Sequence, residues 1–317
     1  KYNWPKFISV NTGKNNKEKV LNAAKIVNGA MRLDGSVQSL NPDTLKNIKR
    51  TNISADGLMN LALDSAEINA DSRSEIILGL PGESKQTHFE TIRTILNSGF
   101  THVLSYQLMM LPGTELNIPE TREKYDMKFR YRVLPRDVGF FDIKRRKIIA
   151  ADIEEICVST NTLSFEDYVD CRKMHLIIQI FNNDGAFESV VKFLRKLNIK
   201  MSDWLELIHE EKLEGKITNL FKEYENHTRD ELWESKEELK KFIQSPGTIE
   251  KYVNGDLGFN LISTFKAIAM TNYIEELKDL AFITLKKILK NNNKYLNENI
   301  EFLKNAIEFD SSKYMNI

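Results

Sequence analysis

The sequence predicts an α/β protein. It reads as a parallel partial (βα) barrel of about four strands, followed by a β-hairpin and a mainly α-helical C-terminal region. Three observations lead there. Short apolar or alternating runs at 6–11, 31–38, 75–80 and 102–109 are separated by amphipathic stretches, so strands and helices alternate over residues 1–118. That rhythm stops over 119–150, where 128–134 and 138–143 read as the arms of a hairpin around Pro135-Arg136-Asp137. From residue 147 onward apolar residues recur at spacings of three and four, clearly at 232–243 and 277–289. The expected units are therefore 1–118, 119–150 and 151–317.

The elements of the first unit have local reasons. Residues 18–27 place Val20, Leu21, Ala24 and Val27 on one helical face. Asn41 before Pro42 is an N-cap followed by the residue best suited to a first helical position. Ser54 can cap the next helix, expected to end near residue 68, and Gly99 stops the helix at 86–98. Strands joined through helices form right-handed crossovers and hence a parallel sheet. Further on, Ser164 and Asp167 read as a capping pair. The run Lys144-Arg145-Arg146-Lys147 and the pair Glu154-Glu155 read as solvated helix faces, and Trp204 and Trp233 as packing anchors in helices.

Bulk properties exclude some functions. In 317 residues, 45 Lys plus Arg balance 45 Asp plus Glu, so no net field favours nucleic acid or an anionic membrane. No apolar run approaches the ~20 residues of a membrane span. Cys157 and Cys171 are far apart and suit a reducing cytoplasm. Alone they cannot supply the three or four ligands of a cluster or zinc site. Among His88, His102, His175, His209 and His227 no pair has metal-ligand spacing, and His88 and His175 read as helix residues rather than bases. The chain opens on Lys1 and runs straight into a strand-like segment, which we take as a sign of preceding sequence.

In parallel α/β folds ligands bind beyond the C-terminal ends of strands. Arg32, Asp34, Ser36 and Gln38 share one parity, opposite Leu33 and Val37. A polar face of this kind suits the wet lumen of an open or partial barrel; a solvent-facing edge strand is the other reading. The third strand leads into Gly79-Leu80-Pro81-Gly82-Glu83-Ser84, where two glycines let the backbone approach a ligand and Glu83 reads as a helix-dipole contact. The fourth ends in Gln107-Leu108-Met109-Met110-Leu111-Pro112-Gly113-Thr114, a Met-rich stretch that reads as core. No dinucleotide glycine fingerprint is present. Asn11-Thr12-Gly13-Lys14 is not a phosphate loop, because Ile8 stands at the first glycine position and Asn15 replaces Ser/Thr.

These strand ends, in this order, resemble the radical S-adenosylmethionine (SAM) superfamily over residues 1–118. Ser36-Val37-Gln38-Ser39-Leu40-Asn41 with Arg50 behind it is similar to the family's ribose-contacting strand and its trailing arginine. Ile77-Leu78-Gly79-Leu80-Pro81-Gly82-Glu83 is similar to the strand bordering the adenine, and Leu111-Pro112-Gly113-Thr114 to the end of the last core strand. The wording looks most like the subclass with an upstream cobalamin-binding domain. The resemblance implies SAM as cofactor, with Ser36 and Gln38 at the ribose, Arg50 at the carboxylate, and Gly79, Leu80, Met109, Met110 and Leu111 bordering the adenine. It also implies a [4Fe–4S] cluster that cleaves SAM reductively, an electron donor for that cluster, an unidentified small-molecule substrate, and cobalamin in some members. The family's three-cysteine motif lies on its first strand. Cys157 and Cys171 do not replace it, so the cluster ligands are expected upstream of Lys1 and this chain alone is expected to be inactive. The competing expectation is a non-catalytic interaction protein that uses the Lys/Glu-rich helices of 161–317.

Overall fold

The computed structural model describes residues 17–28, 30–52, 54–67 and 70–314, together with Pro5, Ile8 and Val10. Its first elements are α1 (Lys17–Ile26), β1 (Leu33–Asp34), α2 (Pro42–Asn47), α3 (Ala55–Glu67), β2 (Ser72–Leu78), α4 (Lys85–Ser98), β3 (His102–Gln107) and α5 (Pro119–Lys124). Then come β4 (Lys128–Ile143), β5 (Arg146–Ser159), α6 (Phe165–Phe181), α7 (Glu188–Lys196), α8 (Met201–Glu210) and α9 (Ile217–Asp230). The last are α10 (Lys236–Ile243), α11 (Thr248–Asn254), α12 (Leu261–Asn272), α13 (Ile274–Asn291) and α14 (Asn297–Ser312).

Among the described residues β1, β2 and β3 form a parallel sheet in chain order. The strand expected at 6–11 lies largely outside the described residues, although Ile8 makes a parallel bridge with Met31. The expected strand at 31–38 is regular only at Leu33–Asp34. Gln38 still bridges Ile76, but its backbone is left-handed, with φ 63°, which ends the extended run. Period-two burial is clear: Leu33, Val37, Ile76, Leu78 and Val103 are buried against helices, while Asp34, Ser36, Arg73 and Glu75 keep partial exposure on the opposite face. Gly35 sits on the buried side, where a Cβ would lie 2.8 Å from Phe100 Cζ.

The local end signals hold. Asn41 Oδ1 accepts from Thr44 N at 2.8 Å and Pro42 opens α2. Gly99 ends α4 at φ 93°, and at its head Ser84 and Thr87 form a reciprocal capping box not expected from the sequence. Ser54 Oγ accepts from Gly57 N at the head of α3, and Ser164 caps α6.

The middle of the chain differs from expectation. The segments 128–134 and 138–143 are not two arms but one strand, β4, pairing along β5. Pro135-Arg136-Asp137 is an irregularity inside it: the register shifts between Val133 and Val138, and Arg136 has φ 69°. The true turn is Lys144-Arg145, both at positive φ, 50° and 63°, between the paired residues Ile143 and Arg146. Such turns are usually marked by Asn-Gly, so the basic run gave no turn signal. Residues 147–159, expected to be helical, are strand, and Glu154-Glu155 is not a helix face. Trp233 precedes α10 and makes an antiparallel bridge with Tyr131, instead of lying in a helix.

The hairpin and the helices position the sheet. Cys157 N donates to Leu108 O at 2.9 Å and Met110 N to Glu155 O at 2.9 Å, so β5 continues the pairing just beyond the C-terminal end of β3. One hydrophobic core runs from Ala24 and Leu33 through α6 to Ile307. Helix α6 is its centre, buried along nearly its whole length and touching β3, β5, α4, α8, α9 and α12. A second cluster, including Leu80, Leu108, Met110 and Cys157, seals the strand ends against the hairpin. Among the described residues no helix is long and apolar enough to cross a membrane.

Candidate functional site

The open face of the sheet carries a connected polar layer. Arg73 holds Asp34 with two parallel bonds, Nε–Oδ1 at 2.8 Å and Nη2–Oδ2 at 3.1 Å, and its Nη2 lies 3.5 Å from Glu75 Oε1. Ser36 Oγ donates to Glu75 Oε2 at 2.8 Å. Arg50, from the loop after α2, donates through Nη2 to Ser36 O at 2.8 Å and through Nε to Asn52 Oδ1 at 2.8 Å. Asn52 in turn donates to Val37 O and Ser39 O. Burial draws Arg50 below its ordinary value, and Glu75 opposes this. Ser36 and Arg50, 14 residues apart, are thus brought together. Glu75, which joins them, was missed from sequence. The signal lay in the alternation of Arg73 and Glu75 with Ser72, Ser74 and Ile76.

The glycine turn after β2 has a reason inside the protein itself. At Gly79, with φ 93°, a Cβ would lie 2.8 Å from Cys157 O of the hairpin. At Gly82, with φ 84°, it would lie 2.5 Å from Asn47 Nδ2. Asn47 also donates to Pro81 O at 3.0 Å and locks the turn onto α2. Leu80 and Met110 point into the second cluster, 2% and 5% exposed, whereas Met109 and Leu111 are 37% and 53% exposed. Gln38 is half-buried.

A second polar group lies behind the strand ends. Ser39 Oγ donates to Glu83 Oε1 at 2.6 Å, Glu83 Oε2 meets His88 Nδ1 at 3.1 Å, and His88 Nε2 meets His175 Nε2 at 2.8 Å. All four residues are at most 2% exposed. Glu83, at the head of α4, is buried and bonded as well as close to the helix dipole, and His88 and His175, in α4 and α6 as expected, pair across 87 positions. Burial pushes His175 well below its ordinary value, and the neighbouring His88 and Arg172 act in the same direction.

Two further ionic groups bind the hairpin. Arg122 grips Glu155 through both nitrogens, and Tyr131 Oη donates to the same carboxylate at 3.0 Å. Arg132 binds Glu154 and, at 2.7 Å, Glu231; burial works against its charge, but the two carboxylates hold its pKa above the ordinary value. Both cysteines are free and buried. Burial pushes Cys157 up to about 12 and Cys171 up as well, which keeps both thiols protonated. Among the described residues no group of three or more His, Cys, Asp or Glu side chains is placed to hold a metal ion.

No protein-family model matches the chain. Among curated proteins it is 28% identical over 197 residues, 61% of its length, to the 2-(S-pantetheinyl)-carbapenam-3-carboxylate methyltransferase of Streptantibioticus cattleyicolor. It is 29% identical over 196 residues, again 61% of its length, to the cobalamin-dependent radical SAM methyltransferase TokK of Streptomyces tokunonensis. A shorter similarity, 30% over 86 residues, covers 27% of the chain and 23% of the heme chaperone HemW of Buchnera aphidicola. The chain spans 28% of the length of each of the first two relatives. The family resemblance read from the strand ends thus meets a similarity, over more than half of the chain, to two methyltransferases, one of them named as a cobalamin-dependent radical SAM enzyme.

Proposed function

We propose that this chain forms the SAM-binding strand ends, and the substrate-side hairpin and helices, of a cobalamin-dependent radical SAM methyltransferase acting on a small molecule. In this reading β1–β3 belong to a partial (βα) barrel. The observation that carries it is the polar layer Ser36–Glu75–Arg50 on the open face of a parallel sheet, within a sequence similar to methyltransferases.

The residues present suit SAM. Arg50 is held by Nε and Nη2, which leaves Nη1 for a carboxylate. Ser36 and Gln38 fall to the ribose, and Glu75 can accept from its hydroxyls. Adenine falls to the exposed side chains of Met109 and Leu111 and to the backbone at Gly79, Leu80 and Met110. SAM when bound supplies the methyl or radical chemistry; these residues orient it. The [4Fe–4S] cluster and cobalamin fit no donor set among the described residues, since both cysteines are buried thiols.

Titration of the full-length protein with S-adenosylhomocysteine tests this reading. Arg50→Ala should weaken binding roughly 10- to 100-fold, the worth of a hydrogen bond to a charged group. Unchanged affinity would remove the carboxylate assignment, and no binding by the unaltered protein would remove the cofactor.

A further inference from the structure

We propose that the cavity along the free edge of β3 is an anion site in which Arg172 receives the carboxylate of a small molecule. The cavity encloses about 460 Å³, within the range of small-molecule sites. Its wall is built by β3, the hairpin, α6 and the start of α12.

Helix α6 is buried along most of its length, and Arg172, His175 and Gln179 recur on it at helical spacing and all line this cavity. Arg172 is 3% exposed, and its guanidinium makes no hydrogen bond or ion pair among the described residues. It stands over the ring of Tyr224, 5.8 Å from its centroid, and acts electrostatically on Tyr168 and His175. A buried cation without acceptors is strongly unfavourable, and native structures leave few such groups unexplained. The carboxylate across the cavity, Glu154, is engaged by Arg132, which also holds Glu231. Two more orphans share the wall: His175 Nδ1 and Gln107 Oε1 are buried without partners.

The edge of β3 adds backbone groups. Val103 pairs through both N and O with the Asn183 side chain, and Met110 N is taken by β5. Alternation puts the backbone of Ser105 and Gln107 on the same edge, between those contacts. Charge selects the class of anion. Arg132 is spoken for by Glu154 and Glu231, so Arg172 offers one positive charge, which a single carboxylate neutralises and a phosphate dianion would exceed beside Glu154. The planar guanidinium fork matches a carboxylate.

The cavity also touches Tyr106 and Met109, at the strand end assigned above to the adenine. As a substrate anchor the site therefore rests on the SAM reading; as an anion site it does not. The test uses the full-length protein without SAM, with sodium benzoate, the neutral analogue benzamide and inorganic phosphate as probes at matched ionic strength. Benzoate at ten times its Kd should raise Tm by roughly 2–4 °C, benzamide should not, and phosphate should act more weakly. Arg172→Met should abolish the benzoate response and raise the ligand-free Tm, because it removes an uncompensated buried charge. Arg172→Lys, which keeps the charge and loses the fork, should weaken benzoate at least tenfold. If Arg172→Met does not fold, the Lys variant and the ring ¹⁵N shifts of His175 in the unaltered protein decide. No benzoate response, an equal one with benzamide, or a stronger one with phosphate overturns the proposal. A benzoate response in a protein that does not bind S-adenosylhomocysteine keeps the anion site and removes only its role as substrate anchor.

Discussion

The open face of the sheet and the buried chain behind it carry the same kinds of side chain in opposite circumstances. Arg73, Asp34, Glu75 and Ser36 hold one another beside water. Ser39, Glu83, His88 and His175 hold one another with almost no exposure. A broken contact on the open face is repaired by solvent, so these groups are free to exchange partners with a ligand. Behind the strand ends nothing replaces a lost partner, and the same chemistry becomes structural: it ties the loop after β1 to α4 and α4 to α6. A polar cluster is thus a candidate site because its partners are replaceable, not because it is polar.

The largest expected effect is in the buried chain. Glu83→Ala leaves Ser39 Oγ and His88 Nδ1 without acceptors and should cost about 3–5 kcal/mol in urea denaturation. A loss near that of a surface substitution would erase the distinction. Acidification comes next. His175 is kept neutral by burial in the folded state, but in the unfolded chain it takes up a proton near its ordinary value. Its contribution is therefore complete above about pH 6.5 and is lost as pH falls, reaching about 1.4 kcal/mol by about pH 5.5. His175→Asn should flatten that limb of the stability profile; an unchanged slope would place the titration elsewhere. Smallest is Ser36→Ala on the open face, expected to cost about 0.5–1 kcal/mol because water can take its place at Glu75. A cost equal to that of Glu83→Ala would show the two faces to be equivalent.

Features settled within a few residues were legible in the sequence. Asn41-Pro42, Ser54 and Gly99 set helix ends through bonds that span one turn. The period-two pattern of 33–37 assigned the buried and open sides of β1 before any partner strand was known. That Ser36 and Arg50 come together was expected only from the family resemblance, and Arg50 Nη2 does donate to Ser36 O. The hairpin was half legible. The β-rich run of β4 was visible, but its turn uses Lys144-Arg145 at positive φ, a conformation that carries no signal when the residues are not Gly or Asn.

The sequence by itself determined the parallel α/β order, the helix ends and the polar parity of the open face, because capping, periodicity and crossover handedness act locally. Only the tertiary structure decided that His88 meets His175, that Gly79 and Gly82 yield space to Cys157 O and Asn47, and that Arg172 Nε is buried without a hydrogen bond on a cavity wall. Each of these depends on how α6 and the hairpin settle against the sheet ends. That packing is the joint outcome of apolar surfaces far apart in the chain, and no local pattern encodes which polar groups it brings together or strands.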